Sequence, residues 1–160
     1  MAQPLKSLAE LLSKEPKPVE ISHQVKLQQQ TEWRRDLEAL MSRIEGWLQE
    51  LVAGGLLTPD RTEVTLREKG VDEYSVAALT LRTPGGRTID VLPLGRWTFG
   101  AEGRVDIVAP PRRARLERRD LSATGQKEWY FVSVPDAEGN TQRQLLTQDS
   151  LAGVLQELLS

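Results

Sequence analysis

Apolar positions change their spacing twice along this chain, from a helical rhythm to the alternation of strands and back again. Trp33, Leu37, Leu40, Ile44, Trp47 and Leu51 recur at alternating steps of four and three residues, which places them on one face of an α-helix. The pattern predicts a helix from Thr31, a residue type favoured at N-caps, to Ala53, where Gly54-Gly55 supplies the stop. Charged residues fill the other faces, so the helix is amphipathic. The seam spans fewer than three heptads. A packing face against a sheet therefore accounts for it as well as a coiled coil does, and a homodimer through the 31–53 helix stands as the alternative.

From Thr62 the period becomes two, as expected of strands with one buried face. Val64 and Leu66 begin the run, and the strand from Tyr74 to Thr83 places Leu79 and Leu81 on one face with Ala77 beside them. Pro84-Gly85-Gly86 suits a three-residue hairpin loop, and that register pairs Leu81 with Ile89 and Leu79 with Val91. By the same reasoning Ala101-Glu102-Gly103 sets Phe99 opposite Val105 and Trp97 opposite Ile107. The glycines at 85, 86, 100 and 103 are explained as turn residues with positive φ. Arg113 to Leu121 alternates Ala114 and Leu116 inward with Arg113, Arg115, Glu117 and Arg119 outward. Further strands are expected over Lys127 to Val134, rich in aromatic and β-branched residues, and near Arg143 to Leu146. The tryptophans and phenylalanines at 97, 99, 129 and 131 are assigned to the core. Thr147 caps a closing helix that presents Leu151, Val154, Leu155, Leu158 and Leu159 on one face.

The fold class that follows is α+β: a long amphipathic helix, an antiparallel meander of about seven short strands, and a C-terminal helix on the same sheet face. Residues 31–160 are read as the single α+β domain. Residues 1–30 are read as an N-terminal arm, or a short helix plus linker. Leu5, Leu8, Leu11 and Leu12 share a helical face, Pro16 and Pro18 interrupt it, and Val19, Ile21, Val25 and Leu27 have a strand-like spacing.

Composition narrows the chemistry. A chain of 160 residues can bury a core without staples. It has no cysteine and one histidine, which removes disulfides, thiolate metal ligands, iron–sulfur clusters and cysteine nucleophiles, and leaves any histidine chemistry to His23. His23 has no glycine elbow or identifiable carboxylate partner, so it is read as a surface or edge histidine. The lack of a spanning apolar run or secretory pattern, with the lack of cysteine, leads to the expectation of a cytoplasmic protein without membrane contact. Phosphate-binding loops and dinucleotide fingerprints are absent, and no cofactor is expected.

The net charge of −2 conceals a segregation: nine arginines and four carboxylates between Arg82 and Arg119 give that segment +5. Arg112, Arg113, Arg115 and Arg119 are the candidate partner-binding residues, because guanidiniums two residues apart on a strand project from one face. For this face a solvated, ion-paired strand ranks first, an acidic protein partner second and nucleic acid third. Asp90, Asp106 and Glu117 on neighbouring strands form an alternative metal site for a hydrolase or nuclease. Asp106 with Glu117-Arg118-Arg119 is distantly similar to the nuclease signature of an aspartate followed by a glutamate and a lysine two residues on, with Arg119 standing where the lysine belongs.

A non-enzymatic binding or regulatory protein is thus the leading expectation. In size, acidic balance and element order the chain is similar to small bacterial accessory proteins, such as immunity proteins that neutralise toxins and chaperones of secreted effectors. The similarity covers architecture alone, so no functional residue is carried across from it.

Overall fold

Short turns between strands of alternating pattern leave each strand beside its predecessor, and the whole sheet follows from that rule. The computed structural model of the chain describes residues 2–14, 18–68, 72–96, 102–120 and 126–160. Helices α1 (Ala2–Ser13), α2 (Pro18–Trp47) and α3 (Gln49–Ala53) precede strands β1 (Thr58–Leu66), β2 (Tyr74–Arg82), β3 (Thr88–Gly95), β4 (Arg104–Ala109), β5 (Arg112–Arg119), β6 (Glu128–Val132) and β7 (Arg143–Leu145). Helix α4 (Gln148–Leu159) closes the chain. The seven strands form one antiparallel sheet in the order β1-β2-β3-β4-β5-β6-β7. The chain is α+β, as its periodicity predicts. Contacts divide it into two compact units, 1–32 and 33–160.

In the first unit, α1 leaves Leu5, Leu8, Leu11 and Leu12 exposed. Helix α2 starts at Pro18 and not at Thr31. Proline is tolerated in a first turn, and no glycine or proline interrupts the chain from Val19 to Glu45. The alternation over 19–27 is therefore overridden, and Thr31, far from capping a helix, turns its hydroxyl back to the Leu27 carbonyl at 3.0 Å.

In the second unit Trp33, Leu37, Leu40, Met41 and Ile44 of α2 join one core with Leu79, Leu81, Ile89, Val91, Val105, Ile107, Leu116, Trp129 and Phe131 of the sheet and Leu151, Leu155 and Leu158 of α4. Both helices thus cover the same sheet face. Each fully buried leucine or isoleucine contributes about 1.5–3 kcal/mol. The expected seam ends early: the Leu48 N–H is shared between the Ile44 and Glu45 carbonyls, α3 follows, and Leu51 is exposed. Arg61 of β1 fastens the edge of the sheet to α2 through Glu38, Ser42 and Glu45.

The first hairpin has the expected pairs, Leu81 with Ile89 and Leu79 with Val91, across Gly86 at positive φ. The second does not. Val91 faces Ile107 and Pro93 faces Val105, so β3 runs on to Gly95 and takes the partners expected for Trp97 and Phe99. Those two residues lie outside the described segments. The reason is continuity: nothing stops the strand at Val91, and a longer connection closes the hairpin equally well. Beyond it β4 and β5 join across Pro110-Pro111, whose peptide bond is cis. Thr147 caps α4 as expected, with its hydroxyl on the Ser150 N–H and the Ser150 hydroxyl on the Thr147 N–H.

Candidate functional site

Strand alternation sorts the charges of β4 and β5 onto two faces. Val105, Ile107, Ala109 and Leu116 are buried in the core, so Arg104, Asp106, Arg113, Arg115, Glu117 and Arg119 share the outer face. Cross-strand register puts Arg104 opposite Glu117 and Asp106 opposite Arg115. Arg104 donates to Asp106 at 3.1 and 3.3 Å, and Arg113 reaches the same carboxylate at 3.4 Å. Arg119 donates twice to Glu117, at 3.1 and 2.9 Å, while Arg115 lies 4.0 Å from its other oxygen. The relief matters as much as the pairing. Asp106 and Glu117 side chains are 2% and 7% exposed, whereas those of Arg115 and Arg113 are 42% and 66% exposed. The carboxylates form a recessed floor and the guanidiniums stand above it.

Arg112 departs from the expected set. Its position is on the inner side, where it donates to the Glu157 carbonyl of α4 at 2.7 Å, while Arg87 donates to Leu159. Two cations thereby meet the carbonyl end of that helix, where the helix dipole favours them. Arg113, Arg115 and Arg119 remain together outside. Arg143 of β7 joins them, because Arg115 faces Val132 and Val132 faces Arg143 across three strands.

The three candidate metal ligands also share the outer face, since Asp90 faces Val108 and Leu92 faces Asp106. They do not converge. Asp90 accepts from the Thr80 hydroxyl at 2.8 Å, the other two carboxylates are held by arginines, and no group of three His, Asp or Glu among the described residues is close enough to hold one ion. His23 lies within α2, and its side chain is outside the described set.

A cleft opens at one end of this face. Its volume is about 570 Å³, with Arg113, Arg115 and Arg143 on one side and Phe131, Val154 and Leu158 on the other. It exists because β6 leaves β5 early: their pairing begins only at Arg115 with Val132. Pro135, which lacks an N–H, stands three residues beyond Val132, and Asp136 binds the chain into a turn through the Glu138 and Asn140 amides.

A second polar cluster lies at the other end of the sheet, where Arg118 is drawn inward. Its guanidinium lies 4.9 Å from the Trp33 ring, donates to Asp36, and donates to the Glu102 carbonyl at 3.1 and 2.8 Å. Trp33 also packs 5.9 Å from Trp129. Nearby the Tyr74 hydroxyl donates to Glu68, which accepts the Arg96 amide as well. Burial, reinforced by the Glu68 carboxylate, raises the Tyr74 pKa above its ordinary value, with Trp33 and Arg34 opposing the shift. An unfolded chain then releases this proton first, so the tyrosine's stabilisation is complete below about pH 10 and is lost as pH rises further. Replacing Tyr74 by phenylalanine is expected to cost about 1 kcal/mol at neutral pH, with the gap to the parent protein narrowing above about pH 10. Urea titrations at several pH values measure it, and a gap that stays constant through the alkaline range contradicts the assignment.

Sequence alternation alone places Arg118 beside Leu116 on the inner face, but no local signal names Asp36 and Trp33 as its partners. Arg143 and the cleft were likewise missed, because both depend on where β6 parts from β5. The fold and this site together define a small α+β protein with a helix-covered sheet and a basic outer face. No protein-family model, no curated protein and no solved structure matches it. Among the described residues no helix is long and apolar enough to cross a membrane.

Proposed function

We propose that this protein acts by binding and not by catalysis, as a regulatory or accessory protein whose outer-face arginines contact an acidic protein, in the manner of immunity proteins or effector chaperones. The observation that carries the reading is the relief of the β4–β5 face, where cations project and their counter-ions are recessed. A partner approaching it meets Arg113 and Arg115 before any carboxylate, and complementary charge both steers encounter and fixes register. A cysteine-free chain suits a reducing compartment, and a cytoplasmic location is part of the proposal.

Charge reversal is the direct test. The double variant Arg113→Glu with Arg115→Glu is expected to weaken capture of the protein's partner at least about tenfold at low salt, with most of the loss in association rate. Each new carboxylate stands beside the recessed Asp106 or Glu117, so the melting temperature is expected to fall by several degrees. Arg113→Gln with Arg115→Gln, which removes the cations without adding like charge, is expected to weaken capture in the same direction while staying folded. Undiminished capture by a folded double variant removes this face from the binding surface.

A further inference from the structure

We infer that the cleft between β5, the β6–β7 hairpin and α4 receives an extended acidic peptide segment of a partner protein, which adds to the sheet where β6 has left it. The inference rests on the proposed acidic partner and specifies how that partner is held.

Backbone direction comes first. The N–H and C=O of Arg118 both engage the β4 side, through Gly103 and Glu102. The register of β5 against β4 runs without a shift from Arg112 to Glu117, so alternate residues of β5, Arg113 among them, aim their backbone groups the other way. At Arg115 that direction is filled by Val132 of β6. At Arg113 it opens into the cleft, because residues 112–114 pair with β4 alone among the described residues. The position that would continue β6 opposite Arg113 is Val134, which is 87% exposed. A backbone donor and acceptor thus face a space of the size of ordinary ligand clefts, and an extended chain satisfies both, as in recognition by strand addition.

The two walls then specify the segment. A strand lying here turns successive side chains to opposite faces of the sheet. One set meets Arg113, Arg115 and Arg143 on the outer side, and the other meets Val154, Leu158 and Phe131 on the helix side. Alternating acidic and apolar residues complement both walls at once. Asp106 and Glu157 also line the cleft, which leaves the arginines in excess and disfavours a basic segment. Nucleic acid meets the arginines equally well but has no counterpart for the apolar wall and no strand edge to pair with Arg113.

The test uses the full chain and three labelled eight-residue peptides. One alternates glutamate and valine, one carries the same residues as a block of four glutamates followed by four valines, and one is the alternating peptide with methyl groups on every second backbone nitrogen. Fluorescence anisotropy is expected to show binding of the alternating peptide, with at least tenfold weaker binding of the other two. Arg113→Glu and Arg143→Glu are each expected to weaken the alternating peptide at least tenfold, and hydrogen exchange at the Arg113 amide is expected to slow when that peptide is bound. Equal binding of all three peptides overturns strand addition and leaves a purely electrostatic acidic partner. Failure of every peptide, while charge reversal still abolishes partner capture, overturns the cleft and spares the arginine face. Tighter binding of a twelve-residue oligothymidylate, with displacement of the alternating peptide, overturns the peptide in favour of nucleic acid.

Discussion

Alanine at position 103 is expected to destabilise the protein by roughly 3–5 kcal/mol, a large part of the about 5–15 kcal/mol that holds a typical domain together. Two independent costs combine. Gly103 has φ of 155°, where a side chain is strained, and a Cβ built there falls 2.4 Å from Cζ3 and 2.8 Å from Cη2 of Trp33. The backbone term is about 1–3 kcal/mol and overpacking adds about 1–3 kcal/mol. Trp33 has little room to yield, since it is fully buried between the Arg118 guanidinium and Trp129. The melting temperature is expected to fall by about 10 °C. Shrinking the tryptophan in the double variant Gly103→Ala with Trp33→Leu relieves the clash but not the φ strain, so the two costs are expected to be less than additive. Thermal melts of the four proteins decide the matter, and full additivity refutes the proposed contact.

The next largest effect is expected at Arg118, whose side chain is 1% exposed. Arg118→Ala removes the donor to Asp36 and to Glu102, the stacking on Trp33 and the volume of the side chain, for an expected loss of about 3–5 kcal/mol. Asp36→Ala is expected to destabilise as well for a different reason, because it takes a carboxylate away from a buried guanidinium. Arg118→Met separates the contributions. It keeps most of the volume, and Asp36, with its side chain 35% exposed, recovers hydration, so the expected cost is less than half that of the alanine variant. Urea denaturation measures all three. A methionine variant as unstable as the alanine one shows that charge and hydrogen bonding, and not packing, set the role of this residue.

Such contacts mark where sequence reading reaches its limit. Gly103 reads locally as a turn glycine, whereas its conformation is required by an indole from a helix seventy residues earlier. Arg118 reads as one more member of a basic run until Asp36 and Trp33 are brought to it. The sequence puts Asp90, Asp106 and Glu117 on neighbouring strands, but their common face and their partners, Thr80 and four arginines, follow from register. Arg112 was grouped with the outer arginines by proximity in sequence, and the period of a strand separates it from Arg113.

Determined by the sequence itself were the α+β class, the antiparallel hairpin of Leu81 with Ile89, the apolar seam of Trp33, Leu37, Leu40 and Ile44, and the Thr147 cap. Each rests on a rule that acts within a few residues: side-chain period, turn chemistry or a first-turn hydrogen bond. Tertiary structure alone decided that β3 continues to Gly95 and sets Val91 against Ile107, that Asp36 and Trp33 meet Arg118, and that β6 parts from β5 to leave the cleft. Those outcomes depend on which distant segments compete for the same partners. A register across a long connection, or the counter-ion of a buried guanidinium, is settled by the packing of the whole core and leaves no periodic trace along the chain.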